Sequence, residues 1–492
     1  MHKQDPLVDL SPEELAEAFA PCGAELAAII TKEPQGKERD ADKDEASSFA
    51  HPGGHPHGHP GGHPYGHPGG HPHGHPGGHP GGHPHGHPGG HPVGHPHAMR
   101  QRHGGSRSRG FRPGGGPQAL AYQEKTGIKA PRIIAWELTR SCNLSCVHCR
   151  AASEFGHYPG ELSFEEIKAT IDNITSITNP ILILTGGEPL LRPDIWDIID
   201  YAQSKGASPV VSTNGTLLTE EIAQKLAEHH IPRISISIDF PDKERHDEFR
   251  GQQGAFEASL AGIRRAKAAG VGVQINTTVT KMNHELLEEM HELALSLDID
   301  AFHIFLLVPT GRGEDLREVE LSPEEYERAL TWAYDRQKSS PLHFKPTDAP
   351  QYYRIIHQKT REEGSKLSAE EYGLDAITRG CLGGITFCFI SHTGDIQPCG
   401  YFNLQCGNVK ELGFDTIWTQ SPVLNDLRDY SLLKGKCGAC EYKAVCGGCR
   451  ARALAESGDY MQEEPYCAYV PRKYREEGKQ AHARKIASGQ LD

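Results

Sequence analysis

The 492-residue sequence has no run of about eighteen apolar residues, so no transmembrane helix is expected. It also has no basic excess. Lys and Arg number 51 against 65 Asp and Glu, a formal net charge of −14, which argues against broad electrostatic binding to nucleic acid. A few local arginines can still hold an anionic substrate. The stretch "MHKQDPLVDLSPEELAEAF" lacks the basic-then-apolar order of a secretory signal, so a cytoplasmic protein is the expectation. No G-x-G-x-x-G follows the first strand-like run, which removes the signature of a dinucleotide-binding doubly wound sheet.

What is present is unevenly spread. Residues 11–30 read as a short amphipathic helix, with Ser11 as N-cap, Pro12 in the first turn and Glu14 completing a capping box. Residues 51–97 are a tandem "HPGG/HPHG" repeat holding 16 of the 30 histidines. Proline and glycine in every unit deny this tract a helix or a packed core, so it should be disordered. It reads either as a weak multisite binder of a divalent metal such as nickel, zinc or iron, or as a spacer. A basic, glycine-rich linker follows.

From about residue 131 short β-branched runs alternate with helical patterns. The runs are "RIIAWEL", "PILILTGG", "PVVSTNG", "RISISID", "VGVQINTTV" and "FHIFLLV". Six β-then-α units imply a parallel sheet with right-handed crossovers. Polar residues gather at the C-terminal strand ends, the edge that carries chemistry in parallel barrels. The expected fold is α/β: a partial (β/α)6 TIM-like barrel with a small C-terminal cysteine-rich domain and a disordered His/Pro/Gly-rich N-terminal segment. The expected boundaries are a short helical segment at 1–45, repeat and linker at 46–125, the barrel at 126–340, a connecting segment at 341–380, the cysteine domain at 381–475 and a tail at 476–492.

Of the 13 cysteines, Cys142, Cys146 and Cys149 lie within "SCNLSCVHCR", directly after the first strand. Structural zinc takes four closed ligands, usually as separated pairs. Three thiolates on a [4Fe–4S] cluster instead leave one iron open. This loop resembles the signature of the radical S-adenosylmethionine (SAM) superfamily, in which the open iron is chelated by SAM. One electron then cleaves SAM to a 5′-deoxyadenosyl radical that abstracts hydrogen from an unreactive C–H bond. "TGGEP" matches the superfamily's GGE motif. The resemblance implies that Gly186 and Gly187 admit the methionine moiety and that Glu188 accepts from its ammonium group. By position it also implies SAM contacts from Ser212 and Asn214 of "STNG" and from Ser237 and Asp239 of "SISID". His148 stands where many members have an aromatic residue.

Nine more cysteines occupy residues 381–467. Their spacing resembles the SPASM or twitch extension of radical SAM enzymes, which implies one or two auxiliary [4Fe–4S] clusters. Cys437, Cys440, Cys446 and Cys467 form one expected ligand set, and Cys381, Cys388, Cys399 and Cys449 a second, with Cys406 as a substitute in either. Structural zinc is the alternative for these CxxC pairs.

Over residues 130–475 the chain is most similar to the heme b synthase family, on stretches such as "FHIFLLVPTGRG", "TRGCLGGITFCFISHTGDIQPCGY" and "CEYKAVCGGCRARA". The resemblance implies oxidative decarboxylation of two propionates of iron-coproporphyrin III to vinyl groups, with a reduced flavodoxin or ferredoxin as donor and an auxiliary cluster as electron route. Propionates call for bidentate cations. Arg150, Arg312, Arg450 and Arg452 are the candidates, and His303 or Tyr401 are candidates to face the porphyrin. The other readings are a radical SAM–SPASM enzyme acting on a different heme precursor or a peptide, and a cysteine-rich zinc or electron-transfer protein.

Overall fold

The computed structural model describes residues 116–365 and 378–487. The expected helix at 11–30 and the histidine repeat lie outside the described residues. Seven parallel strands lie side by side in chain order: β1 (Ile133–Thr139), β2 (Ile181–Gly186), β3 (Ser208–Thr213), β4 (Arg233–Ser237), β5 (Gly272–Val279), β6 (Ala301–Leu306) and β7 (His343–Thr347). The order never reverses, so there is no switch point of the doubly wound kind. Sequential winding is that of a barrel. Among the described residues β7 does not pair back to the opposite edge, which leaves the barrel partial.

Local chemistry explains the helices between these strands. Ser163 caps the helix Phe164–Ile177 in a full capping box with Glu166, and Ser322 does the same with Glu325 for Pro323–Ser339, where proline occupies the first turn. In Phe164–Ile177 the stripe Ile167, Ile171 and Ile174 is wholly buried. It shares one apolar cluster with Ile134, Trp136 and Leu138 of β1. The alternate residues of β1, Glu137 and Thr139, are also buried but face the other side of the sheet.

Six expected strands are present, and the structure adds two parallel strands that the sequence pattern did not reveal. β7 falls in the expected connecting segment. It is only five residues long, contains Pro346 and buries just Phe344 and Pro346, so no apolar run marks it. The second is β8 (Phe387–Ile390), from within the expected cysteine domain. It pairs in parallel with β1, Ile134 opposite Cys388 and Trp136 opposite Ile390. β9 (Asp395–Gln397) and β10 (Gly407–Asn408) continue the sheet in antiparallel fashion. The C-terminal region therefore extends the barrel sheet instead of standing apart from it. The linker, expected to run to residue 125, ends sooner, because Pro117–Thr126 is a helix.

Side chains stitch that helix and the C-terminal region together. Tyr122 Oη lies 2.5 Å from Thr419 Oγ1, and the fully buried Trp418 donates from its indole N–H to Lys129 O at 3.0 Å. Trp418→Ala should cost about 3–5 kcal/mol, through the cavity and the lost anchor together. Equilibrium denaturation of the purified protein reads this directly.

Candidate functional site

The C-terminal ends of the strands converge on the segment from Cys142 to Cys149, which forms neither helix nor strand. Cys142 and Cys146 are buried, and Cys149 packs beside them. Backbone and side-chain N–H groups point at their sulfurs. Leu144 N donates to Cys142 Sγ at 3.4 Å, Ser153 N to Cys149 Sγ at 3.4 Å, and Arg250 Nη1 to Cys146 Sγ at 3.7 Å. Donors aimed at sulfur favour thiolates, the form that binds iron. Burial pushes the free Cys142 thiol far up, and nearby Glu188 pushes it further. The residues fit a cluster bound through three thiolates.

Arg250 gave no signal in the sequence. It ends the helix Lys243–Arg250 and is only 7% exposed. Its guanidinium pairs with the wholly buried Asp239 at 2.5 Å. Thr278 N also donates to Asp239, at 2.8 Å. Asp239, expected at a SAM contact, is thus occupied in holding Arg250 against the loop.

The GGE motif is likewise engaged internally. A Cβ on Gly187 would fall 2.3 Å from Ser141 O, and one on Gly186 equally close to Thr139 O. Both glycines are required by the approach of β2 to the cysteine loop itself. Gly187 N and Glu188 N donate to Thr139 O and Ser141 O, each at 2.8 Å. Glu188 is fully buried and accepts from Thr213 Oγ1 (2.8 and 2.9 Å), Asn214 N (2.8 Å) and Leu190 N (3.1 Å). Burial lifts its carboxyl to about 7 against those hydrogen bonds. Asn214 in turn donates to Asn143 Oδ1 at 2.9 Å and approaches Cys142 Sγ at 3.9 Å. Ser212 and Ser237 are half-buried at their strand ends. His148 stacks on Phe249 with ring centroids 4.3 Å apart.

The four arginines considered for propionates are all committed within the protein. Arg150 pairs with buried Glu137 at 2.5 Å, reaches Gly400 O and lies 4.6 Å over the Phe389 ring. His392 Nδ1 is 2.7 Å from the same carboxylate. Burial opposes the Glu137 charge, but Arg150 and His392 outweigh it and hold the carboxyl down at about 2. Arg312 donates to Cys146 O (2.8 Å) and Ser153 O (3.0 Å). Gly311 beside it has φ +58, and a Cβ there would meet Arg150 O at 2.2 Å, so "PTGRG" is a clamp on the cysteine loop. Arg450 donates to Cys437 Sγ at 3.4 Å. Arg452 is wholly buried and joins Glu464 (3.0 Å) to Asp348 O (2.6 Å). His303 lies buried on β6 beside His343, and burial drives its imidazole well below the usual range.

Cys437, Cys440, Cys446 and Cys467 line one cavity with Arg354, Gly448 and Glu464. Glu464 N donates to Cys437 Sγ at 3.3 Å and Gly448 N to Cys446 Sγ at 3.4 Å. The other expected set is divided. Cys399 and Cys449 share one apolar cluster. Cys388 is wholly buried in the main core, on the β1 face that carries Ile134. Phe389, in register with Gln397 of β9, points to the opposite face, and Cys399 follows two residues after the end of β9. Cys388 is a core thiol, and Cys406 packs against the same core.

Residues 136–336 match the radical SAM superfamily, and residues 381–450 match SPASM, an iron–sulfur cluster-binding domain. The AdoMet-dependent heme synthase of Oleidesulfovibrio alaskensis is 52% identical over 347 residues, covering 70% of this chain and 89% of the relative. That of Methanosarcina barkeri is 52% identical over 344 residues, covering 70% and 98%. In fold the chain is similar to Streptococcus suis SuiB, in a crystal structure with S-adenosylmethionine bound, with TM-score 0.58 and 18% identity over 72% of this chain and 81% of that one.

Two substitutions check this geometry. Arg250→Met leaves Asp239 buried and unpaired, and the iron-free protein should lose about 3–5 kcal/mol in a denaturation curve. Cys388→Ala should cost about 1 kcal/mol of stability and leave the iron content after anaerobic reconstitution at the native level.

Proposed function

Because the chain belongs to the AdoMet-dependent heme synthase family of the radical SAM superfamily, we propose that it converts iron-coproporphyrin III to heme b by oxidatively decarboxylating two propionates to vinyl groups. One observation carries this reading: a three-cysteine loop at the C-terminal mouth of a partial barrel, in a chain half-identical to heme synthases over almost their whole length.

Cys142, Cys146 and Cys149 hold a [4Fe–4S] cluster in this reading, with SAM beside them at the ends of β2, β3 and β4. When bound, the two supply one-electron cleavage of SAM and so the means to remove hydrogen from a propionate β-carbon. The chain's own residues prepare that place. Arg250 sets a fixed positive charge against Cys146, and Leu144 N and Ser153 N donate to the other two sulfurs. Glu188 and Asn214 act through the backbone they brace, while Ser212 and Ser237 remain as strand-end groups for SAM. The Cys437, Cys440, Cys446 and Cys467 cavity seats an auxiliary cluster, suited to receive the electron released as each vinyl group forms. A reduced flavodoxin or ferredoxin is the proposed donor, and the histidine repeat a separate divalent-metal tract.

The test is anaerobic turnover of reconstituted protein with SAM, a reductant and iron-coproporphyrin III, followed by mass spectrometry. Two successive losses of a carboxyl unit are expected, together with 5′-deoxyadenosine, and Cys146→Ala should abolish both. Deoxyadenosine with unchanged porphyrin would overturn the substrate and point to another heme precursor or a peptide. Deleting residues 51–97 should leave turnover unchanged.

A further inference from the structure

With Cys388 and Cys406 both in the main core, Cys381, Cys399 and Cys449 stand as a set of three. Several contacts bring them together with the end of β7. A Cβ on Gly447 would be 3.8 Å from the Cys381 Cβ, and Cys381 N donates to Cys446 O at 3.1 Å. Gly380 presses on the residues after β7, where its Cβ would fall 2.7 Å from Pro350 Cα. Cys449 caps the helix Arg450–Ser457, whose Arg452 donates to Asp348 O at 2.6 Å. Asp348 therefore sits at the C-terminal end of β7, the same edge that carries the first cysteine loop.

The Asp348 side chain is only partly provided for: burial disfavours its ionised form and outweighs the Arg452 charge that favours it. Its Oδ2 is buried and has no hydrogen-bond partner. Such a group costs free energy unless something pairs with it. Its backbone is at φ +56, a left-handed position that aspartate adopts more readily than most residues. The Cys399 thiol lies within the field of the same groups. Cys449, Asp348 and Cys381 all lie near enough for their charges to act on it.

We propose that Asp348 supplies a carboxylate oxygen as the fourth ligand of a second auxiliary [4Fe–4S] cluster held by Cys381, Cys399 and Cys449. This rests on the reading that the C-terminal cysteines hold iron–sulfur clusters. A carboxylate donates a lone pair to one iron, as a thiolate does, and no electron is transferred in forming the bond. Ligation pairs the orphaned oxygen. It also replaces Cys388, which β-sheet alternation turns to the wrong face.

The experiment uses full-length protein carrying Cys142, Cys146 and Cys149→Ala, so that only auxiliary sites load. After anaerobic reconstitution, iron and sulfide are counted and electron paramagnetic resonance spectra are taken after reduction and after mild oxidation. About eight irons per chain are expected, falling to about four with Cys399→Ala. Asp348→Gly suits the positive φ and removes only the ligand. It should keep the Cys437-set spectrum and, on mild oxidation, lose about one iron per chain and show a three-iron signal absent from the parent. Asp348→Cys should restore the iron and suppress that signal. Parent-like behaviour of Asp348→Gly, with Cys399→Ala still losing four irons, would overturn the assignment of Asp348 alone. Unchanged iron in Cys399→Ala would overturn the second cluster itself. Thermal unfolding of each variant shows that the chain still folds.

Discussion

The segment from Cys142 to Cys149 has no hydrogen-bond ladder of its own, yet three sulfurs must be held in fixed relation there. Buried backbone polar groups need partners, and here neighbouring strand ends and loops supply them. The GGE segment donates to Thr139 O and Ser141 O, Arg312 to Cys146 O and Ser153 O, and its backbone N–H to Cys149 O at 3.0 Å. Gly187 and Gly311 let their chains come close enough for this. The residues that read most naturally as cofactor contacts are in large part the clamp that shapes the loop. Their glycines are needed whether or not a cofactor touches them.

The same loop joins the two cysteine regions. Arg150, immediately after Cys149, reaches Glu137 on β1, Gly400 beyond β9 and the ring of Phe389 on β8. Arg452 spans from Glu464 to the end of β7, and Tyr466 Oη donates to Glu320 at 2.6 Å on the barrel side. With β8 hydrogen-bonded to β1, the C-terminal region forms one edge of the barrel sheet. Positions on it are therefore fixed relative to the first cysteine loop by a β-ladder and buried ion pairs, a rigid arrangement suited to electron transfer.

Much of this was legible in the sequence for a physical reason. Strands of a parallel sheet are rich in β-branched residues, and six of them show as short runs of that kind, some alternating with polar residues as in "RISIS". β7 escaped because its five residues are mostly polar or proline, and β8 because an apolar run of four is too short to mark a strand. The cysteine spacing suggests two C-terminal groups, but spacing carries no information about the side of a sheet. Cys388 therefore looked equivalent to Cys399 until the register with Ile134 placed it in the core. Asp348 was invisible because an aspartate after an unrecognised strand resembles any turn residue. The internal partners of the candidate arginines were not legible, because which carbonyls and carboxylates a guanidinium meets is a property of the fold.

Those arginines have a common explanation in charge. A cluster bound by thiolates is anionic, and so is the protein as a whole at −14. Burying such a group without a cation costs several kcal/mol per charge. Each cysteine set has a buried or half-buried guanidinium nearby: Arg250 at Cys146, Arg450 at Cys437, and Arg452 in the first turn of the helix that follows Cys449. Arginine cannot deprotonate at any ordinary pH, so the compensation is permanent and does not depend on the redox state of what it faces. Lysine, buried in the same places, would shed its proton instead. The acid-rich chain thus keeps part of its interior positive charge beside its cysteines.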